Sequence, residues 1–193
     1  MHPGLASVLF PTDRQPSNLV TFSKQFSSWT LLNSTVQDDA VAAPDGTITA
    51  DRLKGNANNG NHRATSATIT YQRGASVISV FGQADQRSIA IGFVSGASFV
   101  TTGFDLTGDG AVQWANNSIG TRFTNPVAYV QKWNGGWYRC EVSFLLNGGT
   151  TGTMFIGLQN GSTDAFVSAT TEGAYIWGAQ FEPGLRAGPF IAT

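Results

Sequence analysis

The chain has 193 residues, 41% of them hydrophobic and 11% aromatic. It is therefore long and apolar enough to bury one full core without staples, and too apolar for a disordered tail. The formal net charge is −1 with every Lys and Arg standing singly, which excludes a row of phosphate contacts, and the lone Cys140 excludes an internal disulfide.

Residues 1–17 carry Pro3, Pro11 and Pro16 and read as an irregular arm. Its apolar Leu5, Val8, Leu9 and Phe10 make it a candidate anchoring segment. The opening MHPGLASVLFP has no basic start, is interrupted by Ser7 and ends at Pro11, so no secretion signal is expected. No later stretch approaches the length of a membrane-spanning helix.

Residues 18–193 read as one domain. Turn pairs stand at Asp45-Gly46, Asn59-Gly60, Asp109-Gly110, Asn134-Gly135, Asn147-Gly148 and Asn160-Gly161. Between and around them, strands are expected at 19–23, 67–71, 76–81 and 127–133. Alternation puts Ile89, Ile91 and Phe93 on one face of a further strand. In WYRCEVSF (137–144), Tyr138, Cys140, Val142 and Phe144 alternate with Trp137, Arg139, Glu141 and Ser143, the pattern of a half-buried strand. Met154, Ile156 and Leu158 share one face, and Tyr175, Trp177, Ala179 and Phe181 another. No segment has a capped 3.6-residue apolar period. About eight to eleven short strands with closely spaced turns predict an all-β, jelly-roll-like antiparallel β-sandwich.

The chemistry-bearing residues are sparse. With only His2 and His62, a histidine-based triad has no base to build on. Glu141, Glu172, Glu182 and nine Asp could supply a glycosidase pair, but Asp45, Asp105 and Asp109 sit at turns, where their side chains close Asx turns. FDLTGDG (104–110) brackets a glycine turn with Asp105 and Asp109 yet lacks the spacing of a calcium loop. Cys140 falls on the apolar face of its strand and reads as a buried, inert thiol. The expectation is a protein with no catalytic residues, no cofactor and no metal.

The aromatics admit two readings. Trp137 lies beside Arg139 on a polar face, and Trp114 and Trp133 flank turns rich in Gly and Asn. Each ring either plugs an end of the sandwich or offers an apolar face to the C–H groups of a sugar. With only 12% of the chain charged, the surface is polar but weakly charged and cheap to desolvate, which suits packing in an assembly as well as glycan contact. The sequons at Asn33, Asn116 and Asn160 carry little weight.

Five phrases in order resemble a module of tailed-bacteriophage virion proteins, of the head-spike, head-fibre or tail-fibre type, with a jelly roll like that of carbohydrate-binding modules. They are NLVTFSKQFSSWT (18–30), APDGTITADRL (43–53), FDLTGDGAV (104–112), NGGWYRCEVSF (134–144) and AYIWGAQFEPG (174–184). The ending LRAGPFIAT (185–193) departs from the serine- and tyrosine-containing tail of that family. The resemblance implies a capsid decoration or head-fibre protein on the virion surface, made in the host cytoplasm and partnered by other capsid or tail proteins. It also implies a homo-oligomer such as a trimer. The alternative it implies is a carbohydrate-binding or receptor-binding module of a tail fibre that recognises host surface glycans through Trp114, Trp133 or Trp137. Neither version involves nucleic acid or membrane.

Overall fold

The computed structural model describes residues 17–116 and 120–193; the candidate anchoring residues Leu5, Val8, Leu9 and Phe10 lie outside the described residues. The first strands are β1 (Thr30–Leu32), β2 (Ser34–Ala42), β3 (Ile48–Gly55), β4 (Asn59–Asn61), β5 (Arg63–Thr65), β6 (Ile69–Thr70), β7 (Gly74–Ala84) and β8 (Ser88–Ser95). They are followed by β9 (Ser98–Asp105), β10 (Ala111–Asn116), β11 (Phe123–Lys132), β12 (Tyr138–Leu146), β13 (Thr151–Gln159), β14 (Ala165–Val167) and β15 (Gly173–Pro183). Helical structure among the described residues is limited to two single 3-10 turns, Phe26–Ser28 and Asn134–Gly136.

One sheet runs β1-β5-β13-β8-β9-β10, with β6 also paired to β13; the other runs β11-β12-β7-β15-β3-β2, and β4 with β14 forms a small separate ribbon. The pairings within these sheets are antiparallel, and the chain hops between the sheets from β7 to β8, β10 to β11 and β12 to β13. This is the jelly-roll-like sandwich that the short alternating strands predict.

The alternation explains the core. Ile78 and Val80 of β7 and Cys140, Val142 and Phe144 of β12 point inward from one sheet. Ile89, Ile91 and Phe93 of β8 and Met154, Ile156 and Leu158 of β13 meet them from the other. The Phe93 ring lies against Phe181 at 4.8 Å and Phe144 at 5.9 Å, so three aromatic side chains lock the layers together. Each such side chain taken from water contributes about 1.5–3 kcal/mol.

Four local expectations differ from what the fold shows. Asn59-Gly60, expected as a turn pair, lies within β4, opposite Val167 and Phe166 of β14. Residues 19–23 form no strand; the segment is fastened by Asn18, whose Nδ2 donates to the carbonyls of Ala179 and Ile191 and whose Oδ1 accepts from Phe181 N. The four residues expected on one face of β15 are split, because a bulge shifts the register between Trp177 and Gln180. Gly178, at φ 68°, absorbs the extra residue in a conformation that L side chains avoid. Ala179 and Phe181 therefore face the core, while Tyr175 and Trp177 join a second apolar cluster with Phe81 and Trp137. Finally, β12 is buried on both faces: Arg139, Glu141 and Ser143, at 7%, 4% and 7% exposure, alternate with its core residues. Arg139 and Glu141 are covered by the segment 185–193, which crosses the outside of the six-stranded sheet, while Ser143 Oγ donates to the carbonyl of Val127 on the adjacent strand.

Candidate functional site

The outer face of that sheet is built in rows. Register places Arg139, Phe81 and Trp177 side by side across β12, β7 and β15, and Glu141, Ser79 and Gln180 in the adjacent row. The second row holds the crossing segment. Glu141 Oε2 accepts from Arg186 Nε at 3.1 Å and from Ala187 N at 3.2 Å, and Glu182 Oε1 accepts from Gly188 N at 2.7 Å. Gln180 Oε1 accepts from Ile191 N at 2.9 Å, and Ser23 Oγ accepts from Thr193 N at 3.0 Å. Buried carboxylates and amides thus find their partners on this segment, which makes it a fixed strap rather than a loose end.

The first row is left as the floor of an open cleft of about 630 Å³. Phe81 and Trp177 lie at the bottom, Trp133 stands on one side, and Gly188, Pro189 and Phe190 of the strap form the other. The rings touch in a chain: Trp133 to Phe81 at 5.5 Å and 77°, Phe81 to Trp177 at 5.5 Å and 62°, and Trp177 to Phe190 at 4.5 Å and 51°. These are edge-on and tilted contacts, the arrangement that ring quadrupoles favour.

Two polar groups reach the same space. Asp45, on the Pro44-Asp45-Gly46 turn, accepts at Oδ1 from Thr47 N at 3.0 Å and from Thr47 Oγ1 at 2.6 Å, the Asx turn expected from the sequence. Partial burial pulls the Asp45 pKa up, but the Thr47 hydrogen bonds, with Lys24 nearby, outweigh it and hold the carboxylate below its usual value. Arg139 donates to the carbonyl of Gly188 and to Ser79 Oγ, while its buried Nε has no hydrogen-bond partner. Burial lowers the pKa of Arg139, an effect that the charges of Glu141 and Glu182 oppose.

Of the three tryptophans singled out in the sequence, Trp133 and Trp137 are neighbours, Trp133 N donating to Trp137 O at 2.7 Å, and Trp114 lies apart from them. Trp133, 39% exposed, is a wall of the cleft. Trp137 is 3% exposed and packs in the second apolar cluster, its Nε1 donating to the carbonyl of Ala42 at 3.2 Å. Trp114 sits on β10 in the opposite sheet, half-buried, with its Nε1 enclosed and without a partner. Sequence reasoning missed Phe81, Trp177 and Phe190 as cleft residues, since period-two alternation assigns Trp177 to the core. The available signal was Gly178 directly after Trp177, a residue that marks a bulge.

Other candidate chemistry is structural. His62 is fully buried between the carbonyls of Asn33, at 2.7 Å from Nδ1, and Phe166, at 2.9 Å from Nε2. Asp105 closes an Asx turn on Thr107, and Asp109 lies 3.5 Å from Lys132. Cys140 is buried, and burial raises its pKa well above that of a free thiol. Among the described residues, no group of three or more His, Cys, Asp or Glu is placed to hold a metal ion.

No family model matches the chain, and no curated protein does. Among solved structures, the carbohydrate-binding module TmCBM61, determined in complex with β-1,4-galactotriose, superposes with a TM-score of 0.43 at 9% identity. The match covers 87% of this chain and 99% of that one.

Proposed function

We propose that this chain is a non-catalytic carbohydrate-binding domain that holds glycan in the aromatic cleft. The observation that carries this reading is an open cleft of about 630 Å³ walled by the exposed Trp133 and the half-buried Phe190 over a floor of the buried Phe81 and Trp177, with Asp45 and Arg139 reaching the same space. Aromatic faces take up the C–H side of a pyranose, and a few fixed polar groups orient its hydroxyls. Glycoside hydrolysis uses two carboxyl groups flanking the bond, and the residues lining this cleft include one, Asp45. Binding without turnover is therefore the reading its chemistry favours.

A glycan array followed by titration calorimetry tests it. Trp133→Ala should lower affinity at least about tenfold, the range expected when an exposed aromatic anchor is removed. Trp114→Ala, on the other sheet, should leave affinity unchanged. Equal binding by wild type and Trp133→Ala, or no binding to any glycan, would sink the proposal.

A second element concerns where such a domain is mounted. The five phrases that resemble phage virion modules, together with the weakly charged surface, support display on a bacteriophage particle, as a capsid decoration, head-fibre or tail-fibre component. Reconstruction of purified virions should then show density for this chain at the particle surface, and its absence there would remove this element while leaving the glycan reading standing.

A further inference from the structure

Beside the aromatic cleft lies a second depression of about 430 Å³, lined among others by Ala43, Pro44, Gln83, Asn134 and Trp137. Pro44 belongs to both, with Asp45 on the aromatic side of the turn and Gly46 on the other. The neighbours Trp133 and Asn134 are divided in the same way. From this continuity we infer that the ligand is a single, soluble, uncharged oligosaccharide chain that crosses the Pro44 ridge and occupies both depressions. The inference rests on the carbohydrate reading above and specifies which carbohydrate the site takes.

The two depressions differ in a way that suits successive sugars of one chain. The first offers rings, and the second offers the side-chain amides of Gln83 and the exposed Asn134. A pyranose presents an apolar face and a rim of hydroxyls, so a unit stacked in the first depression can be followed by one hydrogen-bonded in the second. Each depression alone falls in the size range of a small-molecule pocket, which makes the pair larger than one sugar requires.

The ridge between them is rigid. Ala43 N donates to Thr47 O at 2.7 Å, Gly46 N donates to Ala43 O at 2.9 Å, and Trp137 Nε1 reaches Ala42 O from below. On the far side Gln83 Nε2 holds Gly135 O at 2.8 Å. A preformed ridge lowers the ordering cost of binding an extended ligand.

Ring geometry and charge narrow the class further. Neighbouring rings are inclined by 51° to 77°, so they form an angled trough and not the flat platform that the face of a crystalline polysaccharide would need. The cations near the cleft, Lys24, Arg139 and Arg186, are matched by Asp45, Glu141 and Glu182, which leaves no net charge to select an acidic glycan.

The experiment is calorimetry on wild type, Asn134→Ala and Trp133→Ala with neutral β-linked gluco-, manno-, xylo- and galacto-oligosaccharides of two to six units. Oligogalacturonates and microcrystalline cellulose complete the panel. In the series that binds, affinity should rise about tenfold or more with length before levelling off, equivalent to about 1.4 kcal/mol. Asn134→Ala should weaken the longest members severalfold and leave the disaccharide unchanged, whereas Trp133→Ala should weaken all lengths. Length-independent affinity, an Asn134→Ala variant identical to wild type on the longest chain, or a preference for oligogalacturonates or cellulose would overturn the inference alone. No binding by any member would overturn the inference, and would take the carbohydrate reading with it where the glycan array also shows no binding.

Discussion

The bulge at Gly178 carries the most exposed prediction, because it turns a core-patterned strand into the floor of a cleft. In Gly178→Ala the new Cβ meets Phe190 Cδ2 at 3.2 Å, Phe190 Cε2 at 3.3 Å and Phe81 Cδ2 at 3.4 Å. The backbone at φ 68° costs an L residue about 1–2 kcal/mol relative to Gly. Phe190 belongs to the half-buried strap and can give by the few tenths of an ångström required, so the contact adds a smaller amount and displaces one wall of the cleft. Gly161 is the matched control: its φ of 60° imposes the same backbone penalty, and its Cβ would meet nothing within 4 Å. Both variants should lose about 1–2 kcal/mol in urea denaturation, a fall in Tm of about 2–8 °C for a chain of this size. Only Gly178→Ala should also weaken ligand binding at Trp133. A Gly178→Ala variant as stable as wild type, or one that loses no more affinity than Gly161→Ala, would refute the view that this bulge builds the site.

Burial, opposed by hydrogen bonds from Phe26 N and Asp39 N, raises the pKa of Asp51 from 3.8 to about 6, with Asp38 and Asp39 adding to the rise. The folded state therefore binds this proton more tightly than the unfolded chain, so the contribution of Asp51 to stability falls as pH rises through that interval. The loss amounts to about 3 kcal/mol by neutral pH, and it should vanish from the pH profile of Asp51→Asn; parallel profiles would contradict it. Cys140 should resist thiol reagents until the protein unfolds, because the thiol is buried and its pKa is raised. Deleting residues 185–193 removes the strap partners of Glu141, Glu182 and Gln180, leaving the Gln180–Glu182 hydrogen bond, and removes the Phe190 ring against Trp177. The sandwich should still fold, with stability lower by at least about 2 kcal/mol and no glycan binding, as read by circular dichroism and calorimetry.

What was legible in the sequence follows the range of the interactions involved. The β12 alternation of Tyr138, Cys140, Val142 and Phe144 is a local pattern, and local pleating alone puts those residues in the core. The turn at Asp45-Gly46 is likewise local, since Asp45 bonds Thr47 two residues on. By contrast, nothing near Arg139 or Glu141 in the chain indicates that both are buried, because the strap that covers them arrives from residues 185–193. The cleft was half legible for the same reason. Trp133 is exposed beside a turn that the sequence marks, whereas Trp177 and Phe190 meet only after a one-residue bulge and a crossing that period-two reasoning does not contain.

The position of the recognisable phrases relative to the cleft separates fold from specificity. Asn18 of the first phrase is bonded to Ala179 and Phe181 of the last, and Asp51 of the second accepts from Phe26 N of the first. These phrases therefore join distant strands into one sandwich, and the likeness they carry concerns architecture. The cleft draws Trp177, Asp45 and Arg139 from them, but Trp133 precedes the fourth phrase, Phe81 lies outside all five, and Phe190 comes from the divergent ending. Two of the walls that a ligand would touch first, Trp133 and Phe190, are thus free to change without disturbing the joints that hold the sheets. Exchanging 185–193 for a different strap that keeps backbone N–H donors in place for Glu182 Oε1 and Gln180 Oε1 should alter which glycan binds while leaving the unfolding midpoint close to that of wild type. Loss of folding on such an exchange would show that the strap serves the sandwich and not the cleft.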